Sequence, residues 1–588
     1  MNAATDLVNV RISEGPQPAA DETLAALVLL RRLYANGVTH FFCNPGTDFP
    51  AIVEAFSIAQ MEAGAEPEPV PRPIVVPHEN AAMAIAHGAF LITDLPQAVM
   101  VHVNVGSANA INGIANACRD QAPLLLLAGR SPLTETGMHG SRNRIIHWAQ
   151  EMYDQAGMLR EFVKWDQELK LASETQAVVD RALELMMTSP RGPAYLSLPR
   201  EVLSGMVKAP NRKKPIPARA GAPWPDPAAL ATLADWLTEA QRPMIITSAS
   251  GRRQSGFDAL SQLAQRYAIP VVTVGNRYVC LPTSHDMHLG YAPKPLLQEA
   301  DLVLVLDCDV PWLPALEQPP HACRTVHIAE DPAFAGYPTR GFPVDLSIRA
   351  DVGAALTELD TALRQRNQHA APSVAERRLR LAPLRAELVD GWRAAGDAAA
   401  KAAHIKPEWI SRCLSQAVGT DAIIVNEYPL RLEHCPREGF GSFFGLSPSG
   451  GLGWGLGAAL GIKLSAPDRL VVATLGDGAY MFDNPTACHW VSAVQNLPIL
   501  IVVFNNQMYG AVRNSTISMY QNGASADNRC TLLADLSPSP AFEKIVEASG
   551  GYGERVDDPA ELPAALARAL DAVTRENRQA LLNVVCTY

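Results

Sequence analysis

Leu470-Val471-Val472-Ala473-Thr474-Leu475-Gly476-Asp477-Gly478 and, further on, Ile499-Leu500-Ile501-Val502-Val503-Phe504-Asn505-Asn506 are two apolar runs that each end in a polar turn. Short unbroken apolar runs read as strands buried on both faces. Asn484-Pro485 lies between them and makes a cap and first-turn pair, which predicts an intervening helix and a βαβ unit. A right-handed crossover brings both turns to the carboxyl ends of neighbouring parallel strands, where open α/β sheets bind ligands. Asp477 and Asn506 are therefore expected to face each other. A carboxylate, an amide oxygen and a spare backbone carbonyl form a hard-oxygen set suited to Mg²⁺ that takes its other positions from phosphate and water. Gly478 lets the backbone come close to such phosphates. A Gly-Asp-Gly turn taken alone also reads as ordinary strand closure.

A second signal lies far upstream in Ile74-Val75-Val76-Pro77-His78-Glu79-Asn80-Ala81-Ala82, where an apolar run ends in a glutamate that opens an Ala-rich helix. By itself this glutamate reads as a helix start stabilised by the macrodipole. The turn pair followed by Gln507-Met508-Tyr509-Gly510 resembles the signature of thiamine diphosphate (ThDP) enzymes, and Glu79 with its small-residue helix is similar to their catalytic segment. Asn44-Pro45-Gly46-Thr47, Gly106-Ser107-Ala108-Asn109 with Asn112 to Ala117, Gln150-Glu151 with Asp154, and Gly450-Gly451-Leu452-Gly453 extend the likeness. The chain resembles the acetolactate synthase, benzoylformate decarboxylase and pyruvate oxidase superfamily over nearly its whole length.

That resemblance implies roles. Glu79 would hold the cofactor's pyrimidine and promote loss of the thiazolium proton, and burial is expected to raise its pKa. Asp477, Asn506 and the Met508 carbonyl would bind Mg²⁺. Gly478, Ala479 and Tyr509 would line the diphosphate, Leu452 would wedge beneath the bent cofactor, and the Gly450 carbonyl would accept from its amino group. Thr47, Asn104, His147 and Gln150 are the candidates on the substrate side. In this superfamily the glutamate and the metal site meet across a subunit interface, so a homodimer or homotetramer is implied.

The chain has 588 residues, 48% hydrophobic and 19% charged, with a net charge of −11. This is ordinary for a globular protein of three or four domains and argues against non-specific nucleic-acid binding. Ten cysteines occur without metal-type spacing, which fits a reducing cytoplasm. Met1 to Asp21 lacks the basic start and apolar core of a secretory signal, and no apolar run reaches the ~18 residues of a membrane span.

The fold class is α/β, with three doubly wound parallel-sheet domains: pyrimidine-binding, central and diphosphate-binding. Residues 1–21 read as a tail, 22–205 as the first domain and 206–227 as a Pro-rich linker containing Arg212-Lys213-Lys214. The central domain takes 228–363, a linker and exposed helix 364–403, and the last domain 404–588. Expected strands are Thr39 to Cys43, Ile74 to Val76, Ala98 to Val103 and Leu124 to Leu127. Pro243 to Ser248, Pro270 to Val274, Leu302 to Leu306 and Arg324 to Ile328 follow. Ile423 to Val425, the two opening runs and Leu581 to Thr587 complete the set.

With a 2-oxo acid, the electron pair left by CO₂ loss can be protonated, added to a second carbonyl or oxidised. No His-His pair occurs, and Asn104-Val105 departs from the Gly-Pro-Gly of the synthases. Strand alternation is expected to turn His102 away from the loop and His78 away from Glu79. His147, before Trp148 and Gln150, is preferred over His87 and His139. Ser248-Ala249-Ser250-Gly251-Arg252-Arg253 lacks the Gly-Gly pattern expected for FAD, and the short tail leaves little room for a C-terminal lid. The expectation is a Mg²⁺- and ThDP-dependent enzyme that cleaves or forms a carbon–carbon bond beside a carbonyl, first of all by decarboxylating a 2-oxo acid whose size the sequence leaves open. An acetolactate-synthase-like carboligase and a ThDP-binding subunit without turnover are the alternatives; nucleic acid and membrane are not expected partners. Phe443, Phe444 and Trp454 suit an aryl substrate or, more simply, a core.

Overall fold

The computed structural model describes residues 21–62, 69–208, 220–527 and 532–587. The expected tail and the Arg212-Lys213-Lys214 part of the linker lie outside these. Three parallel sheets follow one another along the chain. In the first, the spatial order is Arg72–Val75, His40–Cys43, Gln97–Val101, Leu124–Arg130, Ala194–Pro199, Asp166–Glu168. In the last it is Phe443–Gly445, Ile423–Glu427, Val471–Gly476, Leu500–Asn505, Ala580–Val585, Tyr552–Val556. Numbered by chain order within each domain, both sheets read 2-1-3-4-6-5, so the two outer domains share one topology. The central sheet runs Val271–Thr273, Pro243–Thr247, Leu302–Leu306, Arg324–Ala329, Leu346–Arg349.

Strand alternation explains why the apolar runs are unbroken. Phe42, Val99 and Leu126 face one core while Phe41, Met100 and Leu127 face another. Val471, Ala473 and Leu475 join the first of these cores, whereas Val472, Leu500 and Val502 face a third. The inner strands are therefore buried on both sides, as in covered parallel sheets. One core is continuous through all three domains.

The outer domains meet through two helices, Glu79–Thr93 and Gly455–Ser465. Their close approach needs glycine: a Cβ on Gly88 would fall 2.0 Å from the Ala458 carbonyl oxygen, and one on Gly461 would fall 1.9 Å from that of Ile85. The expected exposed helix between domains is Pro372–Ala399. Asp166–Glu168, Ala194–Pro199, Leu346–Arg349, Phe443–Gly445 and Tyr552–Val556 are strands that the sequence reading omitted. The helix after Asn484 is present as Pro485–Gln495, but Asn484 has a φ of 51° and its side chain donates to the Phe482 carbonyl instead of capping.

Candidate active site

In doubly wound sheets the strand order reverses at a switch point, and ligands bind beyond the carboxyl ends there. In the last domain that point lies between Ile423–Glu427 and Val471–Gly476. Asp477 opens the short helix Asp477–Phe482 and is 2% exposed. Its Oδ1 accepts from the Gly478 amide at 2.9 Å, while its buried Oδ2 has no hydrogen-bond partner. Burial pushes the carboxyl up to about 6 against the backbone amides of Gly478, Gln507 and Met508. The Gln507 and Met508 amides belong to the neighbouring strand's turn, so Asp477 and the 506–508 segment do face each other. Asn506 Oδ1 accepts from the Met508 amide at 3.2 Å, and Gln507 has a φ of 55°. An orphaned buried carboxylate oxygen beside an amide and a backbone carbonyl fits a hard cation such as Mg²⁺. Among the described residues no cluster of three His, Cys, Asp or Glu side chains offers a rival metal site. A Cβ on Gly478 would fall 2.6 Å from the Tyr509 ring, and Ala479 beside it is buried.

The loop 450–453 is bent at Gly450 (φ 65°) and Gly453 (φ 86°). Two buried carboxyls hold its exit. Glu427 accepts from the amides of Gly453, Trp454 and Gly455, and Asp483 accepts from that of Leu456. Among the described residues no cationic side chain forms an ion pair with either. Burial lifts Glu427 to about 6 despite its three amide donors, and burial together with the Glu427 charge lifts Asp483 well above the usual carboxylate range. Leu452 is half-buried, whereas Phe443, Phe444 and Trp454 are core.

Across from this loop, Glu79 begins its helix with His78 as cap, the His78 ring accepting from the Asn80 amide. Glu79 is 6% exposed, and Asn109 Nδ2 donates to its Oε2 at 3.1 Å. Three asparagines of the first domain then grip three consecutive loop carbonyls. Asn116 donates to Gly451, Asn112 to Leu452 and Asn80 to Gly453. A cavity of about 740 Å³ lies between, lined by His78, Asn109, Asn112, Leu452, Phe482 and Tyr509 among others. The resemblance placed the glutamate and the metal site on different subunits. Within one chain the glycine-bearing helix pair docks the outer domains, and His78, Asn109 and Asn112 of the first line the cavity with Leu452, Phe482 and Tyr509 of the last.

The first domain's own switch point, between His40–Cys43 and Gln97–Val101, corrects the reading of His102. The strand ends at Val101, and His102 caps the helix Val103–Asn109, so alternation no longer governs it. Its Nδ1 lies 2.5 Å from Asp48 Oδ1, and its Nε2 meets the Gln150 carboxamide at 3.3 Å. The bond to Asp48 holds His102 above the ordinary histidine range, helped by the charges of Asp48 and Glu79 and opposed by burial. His147 is buried nearby and is held below that range by desolvation, then by Arg200, Arg144, Arg142 and His102. Asn104 is half-buried with Oδ1 unpartnered, and Thr47 is exposed. The inward residue of that loop is Asp48, which sequence reasoning missed. The available signal was a carboxylate one residue past Asn44-Pro45-Gly46-Thr47. Val103, at φ 33°, is a β-branched residue in left-handed space, strain of the kind that collects at functional sites.

A buried glutamate next to His78 and Asn109 on one side of a large cavity, and a loop and tyrosine adjoining an oxygen-ligand pocket on the other, are what a ThDP-dependent enzyme presents to its cofactor. The chain belongs to that family. The family models described as thiamine pyrophosphate enzyme N-terminal TPP binding domain, central domain and C-terminal TPP binding domain match residues 24–158, 230–359 and 430–584. The acetolactate synthase large subunit of Mycobacterium tuberculosis is 26% identical over 555 residues, 93% of each chain. Benzoylformate decarboxylase of Pseudomonas aeruginosa is 26% identical over 506 residues, 83% of this chain and 86% of that one. The solved Rhodococcus jostii RHA1 ThDP-dependent 4-hydroxybenzoylformate decarboxylase superposes with a TM-score of 0.75 at 22% identity, covering 96% of this chain and 99% of that one, which shows the common fold.

Proposed function

We propose that this chain is a Mg²⁺- and ThDP-dependent enzyme that decarboxylates a small 2-oxo acid and protonates the product carbon. When bound, ThDP supplies a nucleophilic thiazolium carbon and a sink for the electron pair released beside a carbonyl. Glu79, oriented by Asn109, would hold a proton at the pyrimidine. Asp477, Asn506 and the Met508 carbonyl would hold the metal, and Leu452 would support the cofactor from below. His102, whose protonated form Asp48 favours, would deliver the final proton. The observation that carries the reading is this histidine, bonded to Asp48, beside Gln150, at the start of the helix whose Asn109 orients Glu79. FAD is left out of the proposal, because the central sheet's strand ends carry ion pairs of Arg252 with Asp307 and of Arg253 with Glu330 and Asp351. We propose a homodimer or homotetramer as the working unit, supported by exposed Ile145, Trp148 and Tyr153 beside the substrate-side helix. A cytoplasmic setting is proposed on the nine described free cysteines.

The test is turnover of 2-oxo acids from pyruvate to benzoylformate with Mg²⁺ and ThDP, with Glu79→Gln as control. CO₂ release that depends on Glu79, with aldehyde as product, supports the reading. The 93% span shared with an acetolactate synthase favours a second reading, carboligation, which acetolactate from pyruvate would establish instead. Tight ThDP binding without turnover of any acid would overturn both.

A further inference from the structure

We propose that Arg277 and Tyr278 of the central domain are positioning residues for the cofactor cleft. They act through a buried chain of hydrogen bonds and close polar contacts that crosses all three domains and ends on Trp454, the residue that closes the loop 450–453. The inference rests on the ThDP reading of that cleft.

Trp454 Nε1 donates to His87 Nδ1 at 3.2 Å. With Nδ1 accepting, the ring proton sits on Nε2, which lies 2.9 Å from Asp120 Oδ2. Asp120 Oδ1 accepts from the Tyr278 hydroxyl at 3.1 Å and pairs with Arg277. None of these five residues is more than 6% exposed. Burial, followed by the Arg277 charge, drives His87 down to about 3, so the imidazole is neutral and its two nitrogens keep fixed, opposite roles. Arg277 supplies the charge that an ionised Asp120 needs in such a site.

Each link sits on an element that builds the cleft. His87 shares the helix of Glu79, and Asp120 caps the helix Ile111–Arg119, which carries Asn112 and Asn116. The Trp454 amide is held by Glu427. On the central side, the Arg277 carbonyl accepts from the Gly445 amide at 2.8 Å, and the Tyr278 ring meets Phe444 edge-on at 6.0 Å. Arg277 and Tyr278 thus lie between the first and last domains, outside the lining of the cavity, and their influence passes through a buried polar chain in which Asp120 is the shared neighbour of His87, Tyr278 and Arg277.

The test is ThDP binding to the full chain with Mg²⁺, by calorimetry, alongside thermal unfolding of the cofactor-free protein. Tyr278→Phe removes one hydroxyl and is expected to weaken ThDP by roughly three- to tenfold. His87→Gln keeps one acceptor and one donor and should stay within about threefold of the unsubstituted chain, whereas His87→Leu, of similar bulk, should lose at least as much as Tyr278→Phe. Unchanged affinity in Tyr278→Phe and His87→Leu, with only the unfolding temperature lowered, overturns the positioning role. Failure of the unsubstituted chain to bind ThDP overturns the cofactor reading itself, and this inference with it.

Discussion

Asp48 Oδ1 lies 2.5 Å from His102 Nδ1, and the other Asp48 oxygen accepts the Val103 amide at 3.2 Å. One buried carboxylate therefore orients the imidazole and fixes the backbone from which it projects. Because the bond favours the imidazolium, His102 stays protonated to higher pH than a free histidine.

If His102 delivers the final proton, activity falls as pH rises through its elevated pKa. Asp48→Asn removes the charge that raises it, so the alkaline limb of the kcat profile should move to lower pH. His102→Ala should lower kcat by roughly 10²-fold or more with little change in ThDP affinity. A profile unmoved by Asp48→Asn would remove His102 from the chemistry.

Asp477→Asn separates metal binding from stability. The Asp477 carboxyl is buried with one oxygen unpaired, so an amide should stabilise the cofactor-free protein by about 1 kcal/mol. The same change should abolish the rise in unfolding temperature given by Mg²⁺ with ThDP. A variant still protected by the pair would show that Asp477 is not a ligand.

Glu427 and Asp483 predict a pH-dependent stability. Both carboxyls are raised in the folded state, Glu427 to about 6, so the fold binds protons more tightly than the unfolded chain does. Their contribution is full below the ordinary carboxylate range near 4 and is lost as pH rises through about 6. The cofactor-free chain should therefore lose stability as pH rises from about 4 through about 6, and Asp483→Asn should flatten that slope. Denaturant midpoints across this window decide it; parallel slopes in both proteins would refute the pairing.

Two glycine substitutions should act in opposite directions. A Cβ on Gly88 meets the Ala458 backbone, which cannot rotate away, so Gly88→Ala should lower both stability and ThDP affinity. Gly391, inside the exposed helix Pro372–Ala399, has open space around its Cβ position, and Gly391→Ala should stabilise by about 0.5–1 kcal/mol without affecting binding. Chemical denaturation and calorimetry on both variants read the two effects separately.

The sequence by itself determined the three parallel sheets, because strands buried on both faces must be unbroken apolar runs, and Leu470 to Leu475 or Leu302 to Leu306 can be little else. The short edge strands Asp166–Glu168 and Tyr552–Val556 escaped, because partial exposure leaves no such run. Asp477 facing the 506–508 turn was legible too, since a βαβ crossover fixes which turns are neighbours. What only the tertiary structure decided is every relation between segments distant in the chain. Asn80, Asn112 and Asn116 gripping the 451–453 carbonyls, Asp48 holding His102, and the Tyr278–Asp120–His87–Trp454 chain all depend on how whole domains dock. His102 shows why: its direction hung on whether the strand ended two residues earlier than Val103, and the fold ends it at Val101. Local periodicity carries no information about that docking, which is set by the close approach of two helices at Gly88 and Gly461.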